Sequence, residues 1–414
     1  MSGVSGARMR ILLLQKRLLF PVNSGWRVRT LNVVRYLARW HDVTYLCNVQ
    51  RQDEPFVGEM RQLGLRLETV PWTEAPRHSW RFARDLAGNL LSRYPFTVDK
   101  DYDPALRRRA EELLASEPFD LVVCDFVQMA RNAIGLPMPA SVLFQHNVEA
   151  QIFARHAERD RRWFRRRYMA HQCRKMARFE GEAGRAFDLV VAVSEDDQRT
   201  FRSEYGWDHV RRIDTAVDTD FFRPSEEPES SDRLVFVGSL DWLPNEDGLE
   251  YFAREIWPLI RQRRPQVVCD IVGRNPSGAV ARLGRLDGLT IHASVPDVRP
   301  FIGRAALAIV PLRIGGGTRL KVFEAMGMEK AVVSTSLGVE GLPVVPGKHL
   351  LVGDTPGSFA GAVAGLLEQP ARRRALAQEA RRFVAEHFSA EVVARQFERH
   401  CLEAGVLAEA TGKS

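Results

Sequence analysis

Leu307-Ala308-Ile309-Val310-Pro311-Leu312-Arg313-Ile314-Gly315-Gly316-Gly317-Thr318-Arg319-Leu320-Lys321-Val322-Phe323-Glu324-Ala325-Met326-Gly327 is the stretch on which the reading of this chain turns. Leu307–Val310 is a short, wholly apolar run, the pattern of a strand buried on both faces. It ends in three glycines, and a helical pattern follows from about Thr318. Glycines let backbone N–H groups approach a phosphate closely, and a helix N-terminus favours the anion. Arg319 and Lys321 stand in the first turn, where cations oppose the helix dipole unless an anion lies beside them. Glu324 follows one to two turns in, where a carboxylate can accept both hydroxyls of a ribose. The plain alternative is a glycine-rich turn with solvated charges.

The same strand-then-helix unit recurs in both directions. Ile11–Leu14, Val43–Leu46, Leu65–Val70, Leu121–Val123, Val142–Phe144 and Leu189–Val193 read as strands of the first half. Leu234–Val237, Val267–Val272, Leu289–His292, Leu307–Val310, Ala331–Ser334 and Leu350–Val352 read as strands of the second. Such alternation implies right-handed crossovers and parallel sheets, hence two doubly wound α/β domains. Residues 1–216 form the first and 232–389 the second. The polar, proline-bearing stretch 217–231 is read as the linker, and 390–414 as a last helix packing back on the first domain. In open parallel sheets ligands bind beyond the carboxyl ends of the strands, so two such domains predict a cleft with two walls.

Composition narrows the classes. At 45% apolar and 27% charged residues the 414-residue chain is globular. No run approaches the roughly 20 apolar residues of a membrane span. The first apolar run, Ile11–Leu14, is too short for a signal peptide, which predicts a cytoplasmic protein, and Met9 is an alternative start. Five scattered cysteines, with no Cys-x-x-C and no Cys/His cluster, predict free thiols and neither disulfides nor structural zinc. Residues 1–215 hold 35 Lys and Arg against 27 Asp and Glu, a balance of +8, whereas the remainder stands at −1. The excess is mostly arginine, which points to anionic lipid, a phosphorylated acceptor or nucleic acid. With no reader module in the sequence, nucleic acid is set aside.

Residues 310–327 resemble the signature of group 1 (GT4) glycosyltransferases, two-domain GT-B enzymes, in the subgroup with a G-G-G-T-R-L-K-x-x-E-A-M core. Phe236–Asn245, Val272–Pro276, Val295–Val298, Gln145–Glu149 and Val193–Glu195 are similar to further landmarks of that family in the same order. The likeness spans nearly the whole chain and is especially close to sugar transferases of exopolysaccharide and exosortase-type systems. It implies two Rossmann-like domains facing across a cleft. A nucleotide-diphosphate sugar is expected on the second domain and a glycan or lipid-linked acceptor on the first, with transfer by retention. It implies donor contacts at Gly25, Gly238, Ser239, Gly273, Val295, Pro296, Gly315, Gly316, Gly317, Thr318 and Glu324. Catalytic roles fall on His146, Arg319 and Lys321, with Glu149 beside His146 to orient it. Without the family, a lone strand-end histidine reads as a satisfied structural group.

The chain departs from the family at two places. Many members have two glutamates eight positions apart, and here Gly316 stands where the first belongs, with Glu324 as the second. Many also carry a basic pair on the first donor-domain loop, at the places of Ser239 and Asn245. The diphosphate charge is thereby expected to fall more heavily on Arg319 and Lys321. In the family this charge, not a metal, steadies the leaving diphosphate. No Asp-x-Asp stands beside the basic pair, so neither metal nor cofactor is expected.

Arg155–Arg178 holds nine arginines and lysines after Arg155, namely Arg159, Arg161, Arg162, Arg165, Arg166, Arg167, Arg174, Lys175 and Arg178, interleaved with Trp163, Phe164 and Tyr168. Such a segment suits an anionic membrane surface on the inner face of the cell, or simply a solvated helix. Two rival functions remain at this stage: a nucleotide-sugar epimerase of the same architecture, and a binding protein that has lost turnover. A hydride-transferring dehydrogenase is disfavoured, because no G-x-G-x-x-G follows the first strand.

Overall fold

The computed structural model describes residues 8–22, 24–76, 79–159, 162–314, 319–410 and 412. The chain divides into two compact units. Unit 1 comprises 1–214 together with 393–414, and unit 2 comprises 215–392.

Unit 1 is built on seven parallel strands: β1 (Arg10–Gln15), β2 (Asp42–Val49), β3 (Arg66–Pro71), β4 (Leu121–Asp125), β5 (Ser141–Phe144), β6 (Leu189–Ala192) and β7 (Val210–Arg212), in the order 3-2-1-4-5-6-7. Unit 2 holds six: β8 (Arg233–Val237), β9 (Val268–Gly273), β10 (Leu289–Ala293), β11 (Leu307–Val310), β12 (Ala331–Ser334) and β13 (Leu351–Val352), in the order 10-9-8-11-12-13. Among the described residues the paired strands run parallel, and helices supply the crossovers.

The burial pattern shows why the strands read as unbroken apolar runs. In β8, Leu234 and Phe236 enter one core cluster while Val235 enters another. In β11, Leu307 and Ile309 go to the first and Ala308 and Val310 to the second. Alternate residues thus serve opposite faces, and each fully buried side chain contributes about 1.5–3 kcal/mol. Strand β7 has no counterpart in the sequence reading. It is three residues, Val-Arg-Arg, on the sheet edge, with no apolar run to announce it.

Two segments near the boundary have definite places. Val217 bridges Ser389, and its N–H donates to Phe388 O at 2.8 Å, so the start of the polar stretch is tied into unit 2. Farther along that stretch, Glu229 takes an ion pair from Arg373 at 2.6 Å and another from Lys330 at 3.1 Å. Stretch 217–231 therefore lies along unit 2 instead of hanging free. The last helix, Ala390–Ala410, gives most of its length to unit 1. There Phe397 packs on Phe144 at 5.0 Å, Arg395 covers the Trp40 ring at 3.4 Å, and Glu403 holds Arg211 at 2.5 Å.

Candidate functional site

In each sheet the chain leaves the first strand toward one edge and later returns to its other side. The reversal falls between β1 and β4 in unit 1 and between β8 and β11 in unit 2. The carboxyl ends of these strands are where a doubly wound sheet opens a crevice.

In unit 2 the loops after β8 and β9 meet the start of the helix Leu320–Gly327. A Cβ on Gly273 would lie 1.8 Å from Gly238 O, so only glycine lets the two loops touch. A Cβ on Gly238 would lie 2.8 Å from both Lys321 Nζ and Asn245 Nδ2. Asn245, 1% exposed, is the joint of this corner. Its Oδ1 accepts from Lys321 Nζ at 2.6 Å and its Nδ2 donates to Ser239 O at 2.7 Å. The ammonium also lies 4.3 Å from the centre of the Phe236 ring. At this corner an amide thus steers the Lys321 ammonium.

The apolar surroundings set the charge state. Burial pushes Lys321 down to about 7, and the nearby Glu324 carboxylate only partly restores it. Burial likewise pushes Glu324 up to about 7, opposed by Lys321. An incoming anion stabilises the ammonium form and raises the lysine back toward its ordinary range.

Arg319 behaves otherwise. It is the N-cap residue of the helix, in the left-handed region at φ +52°. Its guanidinium donates to Leu337 O through Nε at 3.2 Å and Nη2 at 2.9 Å, and Glu340 stands 3.7 Å away. These contacts tie the helix start to the 337–339 turn. A second cation that sequence reasoning passed over is Arg274, exposed after β9, whose Nε donates to Ser239 Oγ at 3.3 Å. Ser239 Oγ in turn donates to Asp241 at 2.6 Å. Val295, half-buried against the core, and Pro296, exposed, follow β10, farther along the same sheet edge. Gly315, Gly316, Gly317 and Thr318 lie outside the described residues.

In unit 1, His146 follows β5 and its side chain is 1% exposed. Its ring lies between two others, 4.2 Å from Phe126 and 4.4 Å from Phe144. Arg29 Nη1 donates to Nδ1 at 3.1 Å, which leaves the proton on Nε2 to be donated to Asp125 Oδ1 at 2.6 Å. Asp125 Oδ2 accepts from Gln15 Nε2 at 2.8 Å and Thr30 Oγ at 2.9 Å. Burial holds the imidazole below its ordinary pKa, against the pull of Asp125. Both ring nitrogens are thus committed within unit 1. The orienting carboxylate is Asp125, at the end of β4, and not Glu149. Glu149 accepts from Asn147 Nδ2 at 3.4 Å and is raised by its own burial. Gly25 opens the helix Gly25–Trp40 with nothing within 4 Å of an added Cβ.

Beside this network, a cavity of about 180 Å³ opens where β1 and β4 end, lined by Gln15, Lys16, Lys100, Trp26, Phe126 and Gln128 among others. Lys16 Nζ donates to Asn48 Oδ1 at 3.2 Å and rides 3.5 Å over the Trp72 ring. Burial lowers it to about 8, against the pull of Asp101 and Asp103.

The chain does contain Asp-x-Asp, at 99–101, 101–103 and 218–220, away from the basic corner, and carboxylates of each triplet are engaged within the fold. Asp103 caps the helix Pro104–Ser116 and accepts from Asn48, in the triplet Asp101-Tyr102-Asp103. Asp218 Oδ1 accepts from the N–H groups of Asp220 and Phe221. Among the described residues, no three His, Cys, Asp or Glu side chains gather as metal ligands.

Two parallel α/β domains with these strand orders define a two-domain Rossmann-like, GT-B protein. Residues 24–221 match the family model "Glycosyltransferase Family 4" and residues 231–369 match "Glycosyl transferases group 1". The chain belongs to the group 1/GT4 glycosyltransferases, and it is a transferase enzyme.

Among curated relatives, a D-inositol 3-phosphate glycosyltransferase 2 of Catenulispora acidiphila is 29% identical over 212 residues, 45% of this chain and 49% of its own. A 44.6 kDa protein of the Klebsiella pneumoniae cps region is 20% identical over 298 residues, 69% of this chain and 75% of its own. Solved structures share the fold. Sucrose-phosphate synthase of Thermosynechococcus elongatus superposes with TM-score 0.63 at 17% identity, over 95% of this chain and 98% of that one. Anabaena Alr3699/HepE, solved with UDP-glucose, gives 0.62 at 15%, over 95% and 99%.

Proposed function

We propose that the enzyme takes a sugar from a nucleotide-diphosphate donor held at the carboxyl ends of β8, β9 and β11 and passes it, with retention, to an acceptor held by unit 1. The observation that carries this reading is the corner of Gly238, Gly273, Asn245 and Lys321. A glycine in each of two loops gives backbone access to an anion, and one steered ammonium stands beside them. The UDP and UDP-glucose complexes of the HepE neighbour support a donor of that kind.

As the glycosidic bond to the diphosphate breaks, negative charge grows on the leaving group. Lys321 meets it from the helix start, and Arg274 adds a second cation from the β9 loop. Fixed charge of this sort needs no reorganisation at the moment of reaction and stands in for a metal. Glu324 holds the ribose hydroxyls. His146, sealed between two rings and bound at both nitrogens, acts here as a positioning residue for the strand-end loops of unit 1. A screen of nucleotide sugars for saturable binding and slow hydrolysis tests the reading. Binding and hydrolysis of one donor are expected, and absence of both across UDP-, GDP- and other activated sugars would overturn it.

The same unit is proposed to work against an anionic membrane surface. The helices Glu149–Arg159 and Trp163–Arg185 form a hairpin, and the second begins with Trp163 and Phe164, 73% and 54% exposed, followed by Arg165, Arg166 and Arg167. Aromatic side chains amid arginines suit the headgroup layer of a bilayer. No helix among the described residues is long and apolar enough to cross a membrane, so the contact is peripheral. Pelleting with phosphatidylglycerol vesicles at low salt, lost at high salt and in Trp163→Ser/Phe164→Ser, is expected. Equal behaviour of wild type and variant would refute it.

A further inference from the structure

None of the residues of the short helix Trp80–Gly88 in unit 1 is fully buried. It leans on the body of the unit through few contacts, among them Phe82 edge-on to Phe96 at 5.5 Å. Beneath it runs a groove of about 440 Å³ whose apolar part is Trp72, Ala75, Phe82, Gly88 and Phe96. Trp80 and Leu91, at the two ends of this segment, are 83% and 95% exposed, and Leu90 is also exposed. Exposed apolar side chains of this size on one segment suit a binding surface.

The groove is also charged, with Arg81, Arg84, Asp85 and Asp99 among its lining residues. Glu74 and Lys100 line it, and Lys100 also lines the 180 Å³ cavity at the ends of β1 and β4, as does Arg17. Glu74 is ion-paired with Arg17 and takes Lys100 at 2.9 Å. One carboxylate thus stands between two cations at the junction of the two cavities. Lys100 has a second, looser partner in Asp101 at 3.8 Å. The cations hold Glu74 below the usual carboxylate range against its burial. The arrangement displays where a single anionic group sits when both cations converge on it.

We propose that the acceptor is an anionic amphiphile, with its hydrocarbon chain in the groove under Trp80–Gly88 and its anionic head at Arg17 and Lys100, in place of the Glu74 carboxylate. This rests on the reading of unit 1 as the acceptor-binding unit. The sugar-accepting end then reaches the cavity at the switch point of the first sheet. Charged and apolar side chains lining one groove fit a ligand with both characters, and neither a free glycan nor a neutral lipid uses both.

Gly88 makes the inference testable. It lines the groove, has helical backbone angles (φ −60°, ψ −34°), and an added Cβ meets nothing within 4 Å. Gly88→Phe therefore fits the backbone and fills the groove. Binding to the full chain is measured by calorimetry with dodecyl phosphate below its micellar concentration. Inorganic phosphate and dodecyl maltoside serve as the head-only and neutral-head arms. Dodecyl phosphate is expected to bind saturably and more tightly than either. Gly88→Phe, with unchanged melting temperature, should weaken it by about tenfold or more, since each methylene kept in water forfeits part of the transfer free energy. Glu74→Gln should tighten it by freeing the two cations. Undiminished binding to folded Gly88→Phe, or equal affinity for dodecyl maltoside, would overturn the proposal. UDP affinity, read on the same samples, is expected to be equal in wild type and Gly88→Phe. Its absence from both would count against the donor reading alone.

Discussion

Lys321 is the residue on which the proposed chemistry leans most, and Lys321→Met isolates its charge. Methionine keeps much of the apolar stem and loses the ammonium. Two effects follow and they are separable. The structural one is small. Asn245 Oδ1 loses its 2.6 Å donor in a buried corner, a cost of about 1–3 kcal/mol. Against it, the fold no longer has to bury a cation whose burial lowers its pKa to about 7. The sign is definite. A lysine with a depressed folded pKa disfavours the charged form, so its penalty is absent above about pH 10.5, grows as pH falls toward 7, and vanishes in the variant. The two effects oppose each other at neutral pH, so the melting temperature of the variant is not expected to fall by more than a few degrees.

The catalytic effect is large. Developing charge on the diphosphate loses its fixed partner, which typically costs about 10²–10³ in turnover. The donor KM should change far less, since backbone groups and Glu324 still hold the ground state. Wild-type kcat/KM should also fall as pH rises above about 7, where the free enzyme loses its ammonium. That slope should disappear in Lys321→Met. Steady-state kinetics across pH 6–9, with melting curves on the same protein, would check each part. Unchanged kcat with a proven donor would refute the assignment, and a collapse of kcat and melting temperature together would mean that the residue serves only the fold.

Gly273→Ala should abolish donor binding without unfolding unit 1, because its Cβ collides with Gly238 O at 1.8 Å, and calorimetry with UDP reads it. Turnover should persist in excess chelator, and complete loss restored by magnesium or manganese would argue for a metal. His146→Asn should flatten the acid side of the stability profile of unit 1. Its depressed pKa keeps the ring neutral in the fold while the unfolded chain protonates near pH 6.5, so stability is lost as pH falls below that value, by up to about 1.4 kcal/mol per unit. Urea unfolding at pH 5 and 7 on wild type and variant measures the difference.

Much of the fold is legible in the linear chain because the strands are buried on both faces. A run such as Leu307–Val310 has to be apolar at every position, and spacing the runs with helical segments leaves parallel, doubly wound sheets as the natural arrangement. Gly273 is readable for the same kind of reason, since its close approach to Gly238 O demands a missing side chain. Tertiary structure alone decided which side chains meet. Lys321 is steered by Asn245, 76 positions away, and His146 by Asp125, 21 positions away, not by the nearby Glu149. These pairs exist because the strand order places β8 beside β11 and β4 beside β5, bringing strand ends together that sequence spacing separates. Burial is equally a property of the folded surroundings. It holds Arg319 to Leu337 O, displaces Lys321 and Glu324 toward neutrality, and seals His146 between two rings. A residue's type states what it can bond, but the field and partners it meets are set by neighbours that only the packed chain supplies.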